Sequence, residues 1–136
     1  MDPSVKAVEA CLSKDRFAAS CGIRLCEVGA GYAKAEMAVT RDHYNGLGIV
    51  QGGAIFTLAD FAFAAASNSH GTAAVGINAS ISFMKAIKAG LLRAEAKEQS
   101  HNHRLGTYLV EVKDEAGDLV ASFQGMVYRK PGPLPA

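Results

Sequence analysis

One run of residues constrains this chain more than any other. Gly52–Asn68, GGAIFTLADFAFAAASN, is apolar on nearly every side and rich in alanine. Strands usually run to about 5–6 residues, so this run is too long for one, and alanine favours helix. Its most apolar part, Gly52–Ala66, falls short of the ~20 residues that cross a bilayer, and Asp60 interrupts it. The run therefore reads as a buried helix of a globular domain. A helix without a polar face cannot be satisfied by one face of one sheet. A sheet must wrap it, a partner subunit must cover it, or both.

The rest of the chain supplies that sheet. Residues near 3–14 suit a short amphipathic helix, with Val5, Val8 and Leu12 on one face. After a turn around Ser20–Gly22, Ile23–Val28 and Tyr32–Val39 alternate as strands across the hairpin Gly29-Ala30-Gly31. In the second strand Ala33, Ala35, Met37 and Val39 oppose Tyr32, Lys34, Glu36 and Ala38. A polar, glycine-punctuated loop, Arg41–Gln51, leads into the helix. Four more alternating runs follow: Ala73–Met84, Leu91–Gln99, Leu105–Asp114 and Leu119–Arg129, the last two joined by the hairpin signal Asp114–Asp118. Strands segregated around one long central helix predict an α+β domain with an antiparallel sheet packed on that helix. Residues 1–136 make one domain, with a frayed tail at 131–136.

Composition excludes several classes. A formal net charge of +1 offers no broad footprint for nucleic acid. The N-terminal MDPSVKAVEACLSKDRF lacks the apolar core of a signal peptide, so the expectation is a cytoplasmic protein with no membrane segment. Cys11, Cys21 and Cys26 have neither metal nor redox spacing and suit reduced thiols.

Two internal polar residues mark the helix, Thr57 and Asp60. At about 100° per residue, Asp60 shares a face with Gly53, Phe56, Thr57, Ala64 and Ser67, while Ala54, Ile55, Leu58, Ala62 and Ala65 form the opposite, core face. A carboxylate can cap a neighbouring backbone or pair with a lysine, but a mid-helix place on an apolar segment favours a chemical role. Desolvation would raise its pKa and suit it to act as a general base or nucleophile. Gln51-Gly52-Gly53 opens the helix, whose first N–H groups have no partners within it. Glycines let a ligand oxygen approach those donors, and the helix dipole favours negative charge there. Tight packing explains a Gly-Gly pair equally well. Elsewhere, His101 and His103 sit two apart on one strand face, but no third metal ligand stands out, and a surface turn explains them. Ser67, Ser69 and His70 lack a nucleophile elbow and read as a helix end before Gly71.

The stretch Asn45–Gly71, NGLGIVQGGAIFTLADFAFAAASNSHG, resembles the signature of phenylacetate-degradation (PaaI-type) hotdog thioesterases: an Asn, then six residues on a His-Gly-Gly, then an acidic residue in a Leu-Ala-Asp helix. Here those places hold Asn45, Gln51-Gly52-Gly53 and Leu58-Ala59-Asp60. Ile77–Gly90 resembles the family's central strand and following turn, so the likeness runs from about Phe17 to Arg129. The resemblance implies a hotdog fold and hydrolysis of an acyl-CoA thioester without metal or redox cofactor. It implies that Gly52, helped by Asn45, polarises the carbonyl, and that Asp60, from the other subunit of a dimer, activates water or attacks. It also implies a homotetramer built as a dimer of dimers. Coenzyme A would lie on Gly53, Asn78, the turn Phe83–Lys88 (Phe83, Met84, Lys85 and Lys88) and the turn His101–Arg104, with Lys85, Lys88 and Arg104 toward its phosphates. The family's His is Gln51 here, which can position by hydrogen bonding but cannot titrate. Two other readings stand beside this one: a hotdog dehydratase or hydratase, which needs a His where Gln51 sits, and a non-catalytic acyl-CoA-binding module. The acyl group itself is not legible.

Overall fold

A computed structural model describes residues 2–135. Along the chain run α1 (Pro3–Leu12), α2 (Arg16–Ser20), β1 (Ile23–Gly29), β2 (Tyr32–Ala38), a 3-10 turn (Arg41–His43), α3 (Gly52–Ser67), β3 (Thr72–Phe83), β4 (Leu91–His101), β5 (Leu105–Lys113) and β6 (Leu119–Pro133). The strands form one antiparallel sheet in the order β1-β2-β4-β5-β6-β3. The sheet curls round α3, whose Leu58, Ala59, Ala62, Ala65 and Ala66 are wholly buried. Alternation sets the sheet's inner face: Ala33, Ala35 and Met37 of β2, Leu92, Ala94 and Ala96 of β4, and Tyr108, Val110 and Val112 of β5 are all buried.

Aromatic rings fill the space between helix and sheet. Phe63 meets Tyr108 and Phe123 with centroids 5.7 and 5.4 Å apart, and Phe56 meets Phe123 at 5.3 Å. Gly125 makes room for this cluster, because a Cβ there would lie 2.7 Å from Phe63 Cζ.

The structure departs from the sequence reading in four places. The single turn α2, capped by Asp15 Oδ1 accepting from the Ala18 N–H at 3.0 Å, is too short to show a helical period. Ser67, expected on the face of Asp60, is buried, with Arg129 donating to its carbonyl at 2.8 Å. Ala54, expected in the core, is only half-buried. The tail expected to fray is largely paired: Thr72 opposes Pro133, and the Leu134 N–H donates to the Gly71 carbonyl at 3.2 Å. β5 begins opposite Tyr128, so β6 beyond that point pairs on one side only and tolerates prolines. The last residue of that tail, position 136, lies outside the described residues.

Two surfaces, one on α3 and one on β3, remain uncovered in the single chain. Gly53 and Asp60 are exposed along one line of α3, with Phe56, Thr57 and Ala64 half-covered beside them. β3 is an edge strand paired only with β6, yet it presents Val75, Ile77 and Phe83 at 42%, 54% and 52% exposure. Among the described residues no helix is long and apolar enough to cross a membrane.

Candidate active site

The loop before α3 is built on His43. Its Nδ1 accepts from the Thr40 N–H at 2.9 Å, so Nε2 carries the proton and donates to the Cys21 carbonyl at 2.7 Å. With both nitrogens spent, this buried ring is a structural post. Its own carbonyl accepts from the Gln51 N–H at 2.8 Å, which sets where α3 begins. The sequence reading passed over His43, and only the chain's return to Cys21 reveals its role.

Asn45 ties the tip of the same loop. Its Oδ1 accepts from the N–H groups of Leu47 at 2.9 Å and Ile49 at 3.4 Å. That fixes the orientation of the amide and leaves the Nδ2 hydrogens as its unspent donors. Asn45, Gly52, Phe83, Met84 and Lys85 line one cavity of about 330 Å³, whose other walls are apolar residues such as Ile55 and Ile87. The first N–H groups of α3, at Gly52 and Gly53, have no partner within the helix. Five of the residues expected in the site thus meet at one place.

The others are distributed. Gln51 and Gly53 line a second cavity, about 410 Å³, with Phe17, Tyr44 and Thr57. The Gln51 side chain makes no capping bond, and its Oε1 fills the space beside Gly53, 2.4 Å from where a Cβ would sit. Its backbone does the positioning, through His43 and through the Ala54 N–H, which donates to the Gln51 carbonyl at 3.0 Å.

Asp60 lines neither cavity. It lies two turns beyond Gly52, about 12 Å at ~1.5 Å of rise per residue. Although Asp60 is exposed in the single chain, the protein atoms around its carboxylate partly desolvate it and raise its pKa, and the like charge of Asp15 raises it further. Asp15, the cap of α2, is a second residue that the sequence reading missed, since it lies far from Asp60 along the chain.

Of the residues expected to meet coenzyme A, Lys85 is held by Asp114 at 2.5 Å and Asp118 at 2.8 Å, and these partners raise its pKa. Asn78 is exposed just past the irregularity between Gly76 and Asn78 of β3. Lys88 is exposed, and its carbonyl accepts from the Tyr44 hydroxyl at 2.6 Å. Arg104 stands apart from these, beside Thr72 and Lys130 and donating to the Tyr128 hydroxyl at 3.1 Å. One chain does not bring Arg104, Asp60 and the Asn45–Gly52 cavity together.

Comparisons with known proteins identify the family and the fold. A family model described as the thioesterase superfamily matches residues 47–121. The Escherichia coli acyl-coenzyme A thioesterase PaaI is 36% identical over 121 residues, spanning 88% of this chain and 86% of that one. A protein of Archaeoglobus fulgidus, provisionally named an esterase, is 50% identical over 107 residues, spanning 78% of this chain and 70% of its own. Among solved structures, the E. coli PaaI protein of the phenylacetic acid degradation operon superposes with a TM-score of 0.93 at 33% identity, over 97% of this chain and 96% of that one. A mutant of the phenylacetic acid degradation protein PaaI of Thermus thermophilus superposes with a TM-score of 0.82 at 37% identity, over 85% of this chain and 100% of that one.

Proposed function

We propose that this chain, which belongs to the thioesterase superfamily and is a thioester hydrolase of the hotdog fold, cleaves acyl-coenzyme A, the substrate class named in its E. coli relative. One observation carries the reading: Asn45 Nδ2 and the start of α3 at Gly52 serve a single, mostly apolar cavity. An acyl chain suits the apolar wall, and the thioester carbonyl suits the donors. Water adds to that carbonyl, and the negative charge that develops on oxygen is met by the Gly52 N–H and Asn45 amide and by the positive end of α3. The carbon–sulfur bond then breaks, releasing the acid and the coenzyme A thiolate. Asp60 takes the proton from the attacking water and returns it to the leaving sulfur.

Within one chain Asp60 is too far along α3 to do this. The Asp60 of a second copy supplies it, and the uncovered line of α3 and the apolar edge β3 are the surfaces that copy covers. A homodimer follows from that reading, and the resemblance to the family extends it to a dimer of dimers. Free Cys11, Cys21 and Cys26 suit a reducing cytoplasm.

Complementation tests the shared site. Asp60→Asn and Asn45→Ala proteins, each nearly inactive toward acyl-coenzyme A by thiol release, are unfolded together and refolded as a mixture. Random pairing makes about half the dimers mixed, each with one intact site of two, so about a quarter of the parental activity returns. No recovery in a preparation shown by native mass spectrometry to contain mixed dimers would put both residues in one subunit's site.

A further inference from the structure

At the opposite end of α3 from Gly52, three chemically able side chains converge that the hydrolytic site does not use. His70 follows the helix, Glu98 lies in β4 and His101 ends it. His70 Nε2 stands 2.7 Å from Glu98 Oε2, and His101 Nδ1 stands 2.9 Å from Glu98 Oε1. All three ligand atoms lie within 4.8 Å of one another. From these contacts we propose that His70, Glu98 and His101 bind a divalent transition-metal ion of the Zn²⁺ kind, clasping the end of α3 to β4.

The donor set has the right chemistry. Two imidazole nitrogens and a carboxylate oxygen form a zinc set that keeps a fourth position for water. Bonds of about 2.0–2.2 Å at tetrahedral angles separate neighbouring ligand atoms by roughly 3.3 Å, so the His101 Nδ1–Glu98 Oε1 distance of 2.9 Å need open by only a few tenths of an ångström. The carboxylate is already oriented: Tyr108 donates to Oε2 at 2.7 Å, and Arg129 in turn donates to the Tyr108 hydroxyl at 2.8 Å. Burial alone would raise the pKa of Glu98, but the bonds from His70 and Tyr108 and the nearby imidazole charge outweigh it and hold Glu98 ionised. Arg129 Nη2 approaches Oε2 at 3.9 Å, so Oε1, on the His101 side, is the oxygen for a cation.

The two imidazoles stack at 4.5 Å, tilted by only 13°. Nearly parallel rings direct their lone pairs side by side, so one ring must turn to share an ion. His101, 43% exposed against 27% for His70, has the room.

The test is zinc titration of chelator-treated protein, by calorimetry and by competition with a chromophoric chelator. One ion should bind per chain at micromolar affinity or tighter, and zinc should raise Tm. His101→Gln, at an exposed position that leaves the core untouched, should weaken binding at least ~100-fold, as should His70→Gln, whereas His103→Gln should not. Co²⁺ should give the visible absorption of a low-coordinate nitrogen–oxygen site. Binding no tighter than millimolar overturns the proposal. So does tight binding that survives both His70→Gln and His101→Gln, which would assign the ion elsewhere, for instance to the thiols.

Discussion

The ring of Phe83, at the end of β3, lies over Gly52: a Cβ on Gly52 would come within 3.0 Å of Phe83 Cζ. The strand thus closes one side of the cavity at the point where the first N–H donors of α3 begin. Gly52→Ala should displace the ring and lower kcat/KM about tenfold or more, since misplacement of about 1 Å is costly near reacting atoms. Gly53→Ala meets only the mobile tip of Gln51, which can swing away, and should cost far less. Steady-state kinetics on both variants check this, and equal losses would remove Phe83 from the argument.

Asp60→Asn should lower acyl-coenzyme A hydrolysis at least ~100-fold, within the range that general-base catalysis supplies. The same change should raise Tm at neutral pH. The native fold raises the pKa of this carboxylate, so it disfavours the charged form. The penalty is absent below the unfolded value, near 3.9, and grows as pH rises through the native one. The Tm gap between variant and parent should therefore close in acid. Near-normal turnover would exclude Asp60 from the mechanism.

Asp15→Asn isolates the smaller cause of that shift. Asparagine caps a helix as well as aspartate does, so α2 should persist. With Asp60 as the proposed base, activity needs it deprotonated and should fall as pH drops through its raised pKa. Removing the like charge should move the acid limb of kcat/KM to lower pH while desolvation, the larger cause, holds it above the ordinary carboxylate range. An unmoved limb would mean that Asp15 does not sense Asp60 in the assembled enzyme.

Gly125→Ala should destabilise without touching the cavity. The new methyl would lie 2.7 Å from Phe63 Cζ and 3.0 Å from Phe123 Cε1, in a closed cluster with no room to yield. Overpacking of this kind costs about 1–3 kcal/mol. Urea unfolding should show the loss, with kcat little changed.

Much of this molecule is written in local pattern. The length and alanine content of Gly52–Ser67 specify the helix, and alternation specifies β2, β4 and β5 to within a residue or two at most ends. The spacing of Asn45, Gly52 and Asp60 carries the family likeness, because loop and helix geometry turn fixed spacings into fixed positions. What lay beyond the sequence depends on where distant segments meet. Phe83 reaches Gly52 only because β3 returns along the sheet edge, and His43 is a post only because Cys21 lies above it. The histidine cluster shows the reason most clearly. In a regular strand Glu98 and His101 would point to opposite faces, but the irregularity between Glu98 and Ser100 inserts a residue and returns both to one face. A bulge shifts the period of two without leaving a mark in composition, so the sequence paired His101 with His103, while the folded sheet delivers it to Glu98 and His70.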